Sequence, residues 1–115
     1  MAYRRLIGIW KELGHYPAVA HQLECFGLIA QAEHQPLRAA RLLAAAEILR
    51  EAIHVPMMDT ERADYAAAVA ALRDRLPPDA FAAAWAQGRT MDMERAIQYA
   101  VTPAEPAESV ASQSG

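Results

Sequence analysis

His21 and Glu24 stand three residues apart in the run His21-Gln-Leu-Glu24, which puts both side chains on one face of a helix. Metal sites in helical bundles use a glutamate and a histidine at this separation, in the order Glu-x-x-His and in more than one copy. No second pair of this kind is written in the chain, and His15, His34 and His54 fall near expected helix ends. The four histidines therefore read as surface or capping residues. Cys25 follows Glu24, and a thiol beside a histidine has the makings of a nucleophile. Its mid-helix place next to Phe26 fits a small packing residue better. Glu47 and Glu51, at i, i+4, fit a solvated face with Arg50 nearby. Neither a Ser-His-Asp arrangement nor a Gly-rich phosphate loop with its Lys-Ser/Thr is present. The expectation is no catalytic residue, no cofactor-binding residue and no metal ligand, hence no enzyme.

Three aromatic residues invite a second chemistry. Phe81 and Trp85, at i, i+4, together with Tyr99, have the composition of a ligand cage or a partner patch. That spacing is more often core, with the two rings expected against Leu72 and Leu76 of the preceding helix. Met57-Met58, flexible and polarisable, hint at a contact surface in a linker.

The elements that must position these residues read as helices throughout. Of 115 residues, 54% are hydrophobic, with alanine in runs such as Ala44-Ala45-Ala46 and Ala82-Ala83-Ala84. Alanine favours helix and lets helix axes approach closely. The length allows one domain. The net charge of −3 and a single lysine, Lys11, argue against a face that displaces counterions from nucleic-acid phosphates. No apolar run reaches the roughly 18 residues of a membrane span, and no signal-peptide pattern opens the chain. With one cysteine and no internal disulfide, the expected location is cytoplasmic.

Six helices are expected. The first covers about Tyr3 to Leu13, with Leu6, Ile9, Trp10 and Leu13 on one stripe and Gly14 as its stop. The second opens near Pro17 and carries Val19, Leu23, Phe26, Gly27 and Ala30 inward. After a turn at His34-Gln35, Pro36 opens the third, with Leu42, Leu43, Ala46, Leu49 and Ile53 facing the core. His54 to Met58 reads as an extended connector because Pro56 disfavours helix at Val55. Asp59 or Thr60 is placed to cap the fourth helix, which shows Tyr65, Val69, Leu72 and Leu76. Pro77-Pro78 starts the fifth, expected to stop at Gly88, and Asp92 caps a sixth with Met93, Ala96, Ile97 and Ala100. Residues 1–101 form the helical domain, while the Pro/Glu/Ser/Ala-rich 102–115 read as a disordered tail.

The second and third helices follow the tetratricopeptide spacing through Leu23, Phe26, Gly27 and Ala30, then Ala39, Leu43 and Ala46. Small residues at Gly27 and Ala39 mark where the pair should cross. Ile9, placed 34 residues before Leu43, fits the first helix as the second half of an earlier unit, degenerate at Arg5 and Glu12. The fold class expected is all-α, a TPR-like antiparallel hairpin solenoid fragment with a C-terminal helical cap. Because solenoids cap their ends with polar repeats, the apolar stripe of the first helix suggests a piece from the middle of an array.

A more specific resemblance spans the helical part. The segments Trp10-Lys-Glu-Leu-Gly14, Ala39 to Ala52, Glu61 to Tyr65, and Ala80-Phe-Ala-Ala-Ala-Trp-Ala-Gln-Gly-Arg89 with Met93 to Ile97 carry it. Together they resemble the TPR-like C-terminal region of large bacterial ATP-binding regulators related to LuxR and MalT. The resemblance implies a terminal cap of a helical array in a regulator that elsewhere carries an NTPase and often a DNA-binding module. Neither module is written here, so ATP hydrolysis and DNA binding do not transfer to these residues. The function expected is non-catalytic: protein interaction or signal relay, with the rest of a regulator or a self-associating copy as partner. The alternatives are a sensor that takes a small-molecule effector on the concave face and a stand-alone peptide-binding adaptor. The groove of such an adaptor would be lined by Gln22, Glu24, Gln31 and Glu33, which supply no basic carboxylate clamp.

Overall fold

The structure, a computed structural model, describes residues 2–102, with side chains from Ile7 onward. It contains α1 (Ala2–Glu12), α2 (Tyr16–Ala32), α3 (Pro36–Ile53), α4 (Asp59–Arg75), α5 (Pro78–Arg89) and α6 (Met93–Val101). Among the described residues there is no strand, and the fold is all-α. The expected tail from residue 103 onward and the packing of Leu6 lie outside the described residues. No helix is long and apolar enough to cross a membrane.

Local chemistry accounts for the helix ends. α1, α2 and α3 each close with a left-handed residue: Gly14 at φ 74°, His34 at 62° and His54 at 60°. At each end the next amide reaches back five residues: His15 to Trp10 O at 2.9 Å, Gln35 to Ala30 O at 2.9 Å, and Val55 to Arg50 O at 3.2 Å. This double-bonded C-terminal motif occupies the last free carbonyls, and in α2 and α3 histidine stands at the left-handed position where glycine is usual. Proline lies in the first turn of α2, α3 and α5, where its missing N–H costs nothing. Asp92 caps α6 as expected, accepting from the Arg95 amide at 2.8 Å. Neither Asp59 nor Thr60 caps α4: the cap position is Met58, without a side-chain bond, and Asp59 begins the helix.

α3 is the hub. Ala39, Ala40, Leu42, Leu43, Ala44, Ala45 and Ala46 are all at most 1% exposed. A helix buried on opposite faces loses the single apolar stripe expected of a surface helix. α2 packs antiparallel on one side after a three-residue turn, and α5 lies along another. Both crossings are made by glycine. A Cβ at Gly27 would sit 2.7 Å from Leu43 Cδ2. A Cβ at Gly88 would run into the Arg41 carbonyl oxygen and Ala44 Cβ. Gly88 was expected as a helix stop, but α5 runs on to Arg89, and the glycine serves close approach instead.

α5 therefore leans on α3, whereas it touches α4 only lightly. This alters the expected setting of the aromatic pair. Phe81 is buried and Trp85 half-buried, their rings stacked with centroids 5.5 Å apart. Leu72 and Leu76 belong to the same core, and the Arg73 guanidinium of α4 covers the Phe81 face at 4.7 Å. α6 folds back against α1, α2 and α3. Arg38 holds its end, donating to the carbonyls of Tyr99, Ala100 and Thr102 at 2.9–3.0 Å. Arg41 donates to Gln87 at 2.7 Å and to the Tyr99 hydroxyl at 3.2 Å, so Tyr99 works as an anchor between helices.

Candidate functional site

Two neighbouring concavities open where the C-terminal end of α3, the connector and α4 meet α2. The larger, about 560 Å³, is lined by Glu24, Glu47, Arg50, Glu51, the connector from His54 to Met57, Arg62 and Tyr65. The smaller, about 240 Å³, lies between α2 and α4 and shares Glu24, Met57 and Tyr65 with it.

An ion pair forms the floor. Glu24, mid-helix in α2 and 5% exposed, accepts from Arg50 Nε at 2.5 Å and from a terminal nitrogen at 3.1 Å. This two-pronged, charge-assisted geometry is the strong form of a carboxylate–arginine contact. The hydrogen bond to Glu24 raises the already high Arg50 pKa, against an opposing effect of burial. Arg50 also donates to Val55 O at 3.2 Å, which ties the connector to α3. Of the residues read as lining a groove, Gln22 is buried with its Oε1 unpartnered, and Glu24, also buried, reaches the concavities only as part of their floor, while Gln31 donates to Ala68 O of α4 at 3.3 Å.

The acidic pair has a different partner from the one expected. Arg89 at the end of α5 donates to Glu47 at 2.6 Å and to Glu51 at 3.0 and 3.3 Å. Arg50 is turned away towards Glu24. Tyr65, above Glu47, has a hydroxyl oxygen shielded from solvent without a hydrogen-bond partner of acceptable geometry. Burial first, then the Glu47 and Glu24 carboxylates, hold its phenol well above the usual range. Glu47 thus stands near enough to perturb the hydroxyl without completing a bond.

In the smaller cavity α4 adds what sequence spacing lacked. Glu61 faces the His21–Glu24 pair: His21 Nδ1 lies 3.4 Å from Glu61 Oε2 and 3.9 Å from Glu24 Oε1. One donor atom from each residue falls within 4.8 Å of the others. Cys25 Sγ approaches the opposite ring nitrogen, Nε2, at 3.6 Å. Burial, then Glu24 and Glu61, push the Cys25 thiol up, which suppresses the thiolate a nucleophile needs. The juxtaposition of Glu61 with His21 spans two helices that are not adjacent in sequence, so helical spacing could not disclose it.

The other sequence candidates sit apart from these cavities. Phe81, Trp85 and Tyr99 are engaged around α5 and α6. His15 packs beside Trp10 with ring centroids 5.1 Å apart, and His34 closes α2. Among the described side chains of α1 the buried one is Ile7, fully covered, which the expected stripe passed over. Ile9 and Leu13, expected on the stripe, are 44% and 69% exposed, and Tyr16 at the start of α2 is 39% exposed. Comparison with protein-family models, with curated proteins and with solved structures finds no match to this chain.

Proposed function

We propose that this chain is a non-catalytic, cytoplasmic helical-repeat module that acts by protein contact, self-associating through α1 and the start of α2. The TPR-like spacing and the resemblance to LuxR- and MalT-related regulators support a role within or beside a bacterial transcriptional regulator, relaying a signal through the helical array. The observation that supports contact most directly is the exposure of Ile9, Leu13 and Tyr16 around one helix end. Large apolar side chains gathered at one surface mark interaction sites more often than scattered ones do. Ile9 and Leu13 are one helical turn apart, so a second copy can lay its own α1 across them in a self-complementary contact.

Sedimentation velocity at micromolar concentration tests this reading. The wild-type chain should sediment as a dimer, and Leu13→Glu as a monomer with unchanged helicity. A wild type that stays strictly monomeric contradicts it. The larger cleft supports a second reading, a small-molecule effector site. Its volume of about 560 Å³ falls inside the usual range for small-ligand pockets, and its lining joins charged groups such as Glu47, Arg50 and Arg62 to apolar Val55, Pro56 and Met57.

A further inference from the structure

The geometry points to a divalent metal site, suited to zinc, formed by His21 and Glu24 of α2 with Glu61 of α4. The site is independent of the proposed interface at α1. Tetrahedral zinc with bonds of about 2.0–2.2 Å sets its donor atoms about 3.4 Å apart. The His21–Glu61 separation already has that value at 3.4 Å, and His21–Glu24 is close at 3.9 Å. Small side-chain rotations bring all three donors, now within 4.8 Å of one another, onto one ion.

Three further features favour a cation here. His21 Nδ1 and the two carboxylates converge on one point, so in the tautomer whose Nδ1 carries no proton three lone-pair donors face a common centre that suits a cation. Cys25 Sγ accepts from His21 when Nε2 carries the proton, which leaves Nδ1 free to ligate. Arg50 donates to both oxygens of Glu24, including the Oε1 that faces His21, and so fixes the carboxylate in place as outer partners of metal-bound carboxylates do. The adjoining cavity of about 240 Å³, bordered by Tyr65, leaves room for water at a fourth position. An imidazole nitrogen with two carboxylate oxygens suits zinc and its first-row neighbours better than calcium or magnesium, which prefer all-oxygen sets.

The consequence is mechanical. The ion would join α4, the helix with the fewest buried residues among the long ones, to α2 across the smaller cavity. Because the two concavities share Glu24 and Tyr65, fixing α4 also sets the width of the larger cleft.

Calorimetric titration of the full chain with zinc tests the site, with amide exchange as a second readout. One saturable zinc per chain is expected, together with slower exchange in α4. His21→Ala and Glu61→Gln should each weaken zinc binding at least tenfold, whereas His54→Ala leaves it unchanged. His21 and Glu61 are 46% and 36% exposed, so both variants should keep their helicity by circular dichroism. If His21→Ala unfolds, the near-isosteric Glu61→Gln still decides the matter. Absence of saturable zinc binding, or binding that both substitutions leave intact, overturns the proposal.

Discussion

The two helices that flank α2 and α3 on their C-terminal side, α5 and α4, are held by different physics. α5 lies against α3 through Gly88, Ala84 and Phe81, all buried, at a separation that admits no side chain at Gly88. α4 is longer, yet it buries only Ala68 and Leu72 along its length. Tyr65 and Val69 add half-buried packing against the core, and its other ties are polar or peripheral: Gln31 to the Ala68 carbonyl, Arg73 over Phe81, and His21 beside Glu61. Burial area sets how firmly a helix is fixed, since each buried methylene contributes about 0.8 kcal/mol and an isolated helix of this length is marginal in water. Length alone therefore says little about which helix is rigid. The α2–α3–α5 unit is the fixed body, and α4 is the adjustable wall of both concavities.

Substitutions at the two glycine crossings should break the fixed body. Gly88→Leu meets backbone, the Arg41 carbonyl, which cannot move without bending α3. We expect a loss of about 3 kcal/mol or more, seen as unfolding or a deep drop in Tm. Gly27→Leu meets the Leu43 side chain, which can rotate, and should cost less, roughly 1–3 kcal/mol. If the two variants melt alike, the α3–α5 crossing is not the tighter one.

On the polar side, Glu24→Gln strands the Arg50 guanidinium, whose side chain is only 11% exposed. Removing one partner of a buried pair should cost about 3 kcal/mol, at the lower end for such pairs because Val55 O remains as an acceptor. The double replacement Glu24→Leu with Arg50→Met should recover most of that loss. Chemical denaturation of the wild type and the two variants checks both statements.

Tyr65→Phe should have the smallest effect. Its hydroxyl is buried without a partner, so removing it is expected to be neutral or to stabilise by up to about 1 kcal/mol near neutral pH. The folded-state pKa of this phenol is raised above its unfolded value of about 10. Ionising the phenol inside the fold is therefore costly: stability does not depend on this group's titration below pH ~10 and falls as pH rises beyond it. Wild type should accordingly lose more stability than Tyr65→Phe above pH ~10, as thermal melts across that range will show.

Most of the fold was legible in the chain because helix ends are local. Pro17, Pro36, Gly14 and Asp92 act within a turn of themselves, and their helices end within about two residues of the expected places. The inward residues of α2 and α3 followed from periodicity for the same reason. Misplacements arose where a residue answers to a distant helix. Gly88 has the same local signature whether it ends a helix or admits a neighbour, and only the approach of Arg41 decides. Ile7 is buried rather than Ile9 because of where α2 and α6 lie against α1, which one-helix periodicity does not encode. The site was the least legible part. His21 and Glu24 were visible as a pair, but Glu61 joins them only when α4 crosses α2, and Arg89 reaches Glu47 from α5.

Native-state hydrogen exchange on the metal-free chain tests the division into fixed body and adjustable wall most directly. The account predicts that central amides of α2, α3 and α5 exchange together, at a rate set by global unfolding, while those of α4 exchange faster through a smaller opening that denaturant barely affects. If α4 exchanges in step with α3, with the same denaturant dependence, the molecule opens as a single unit and the division is wrong.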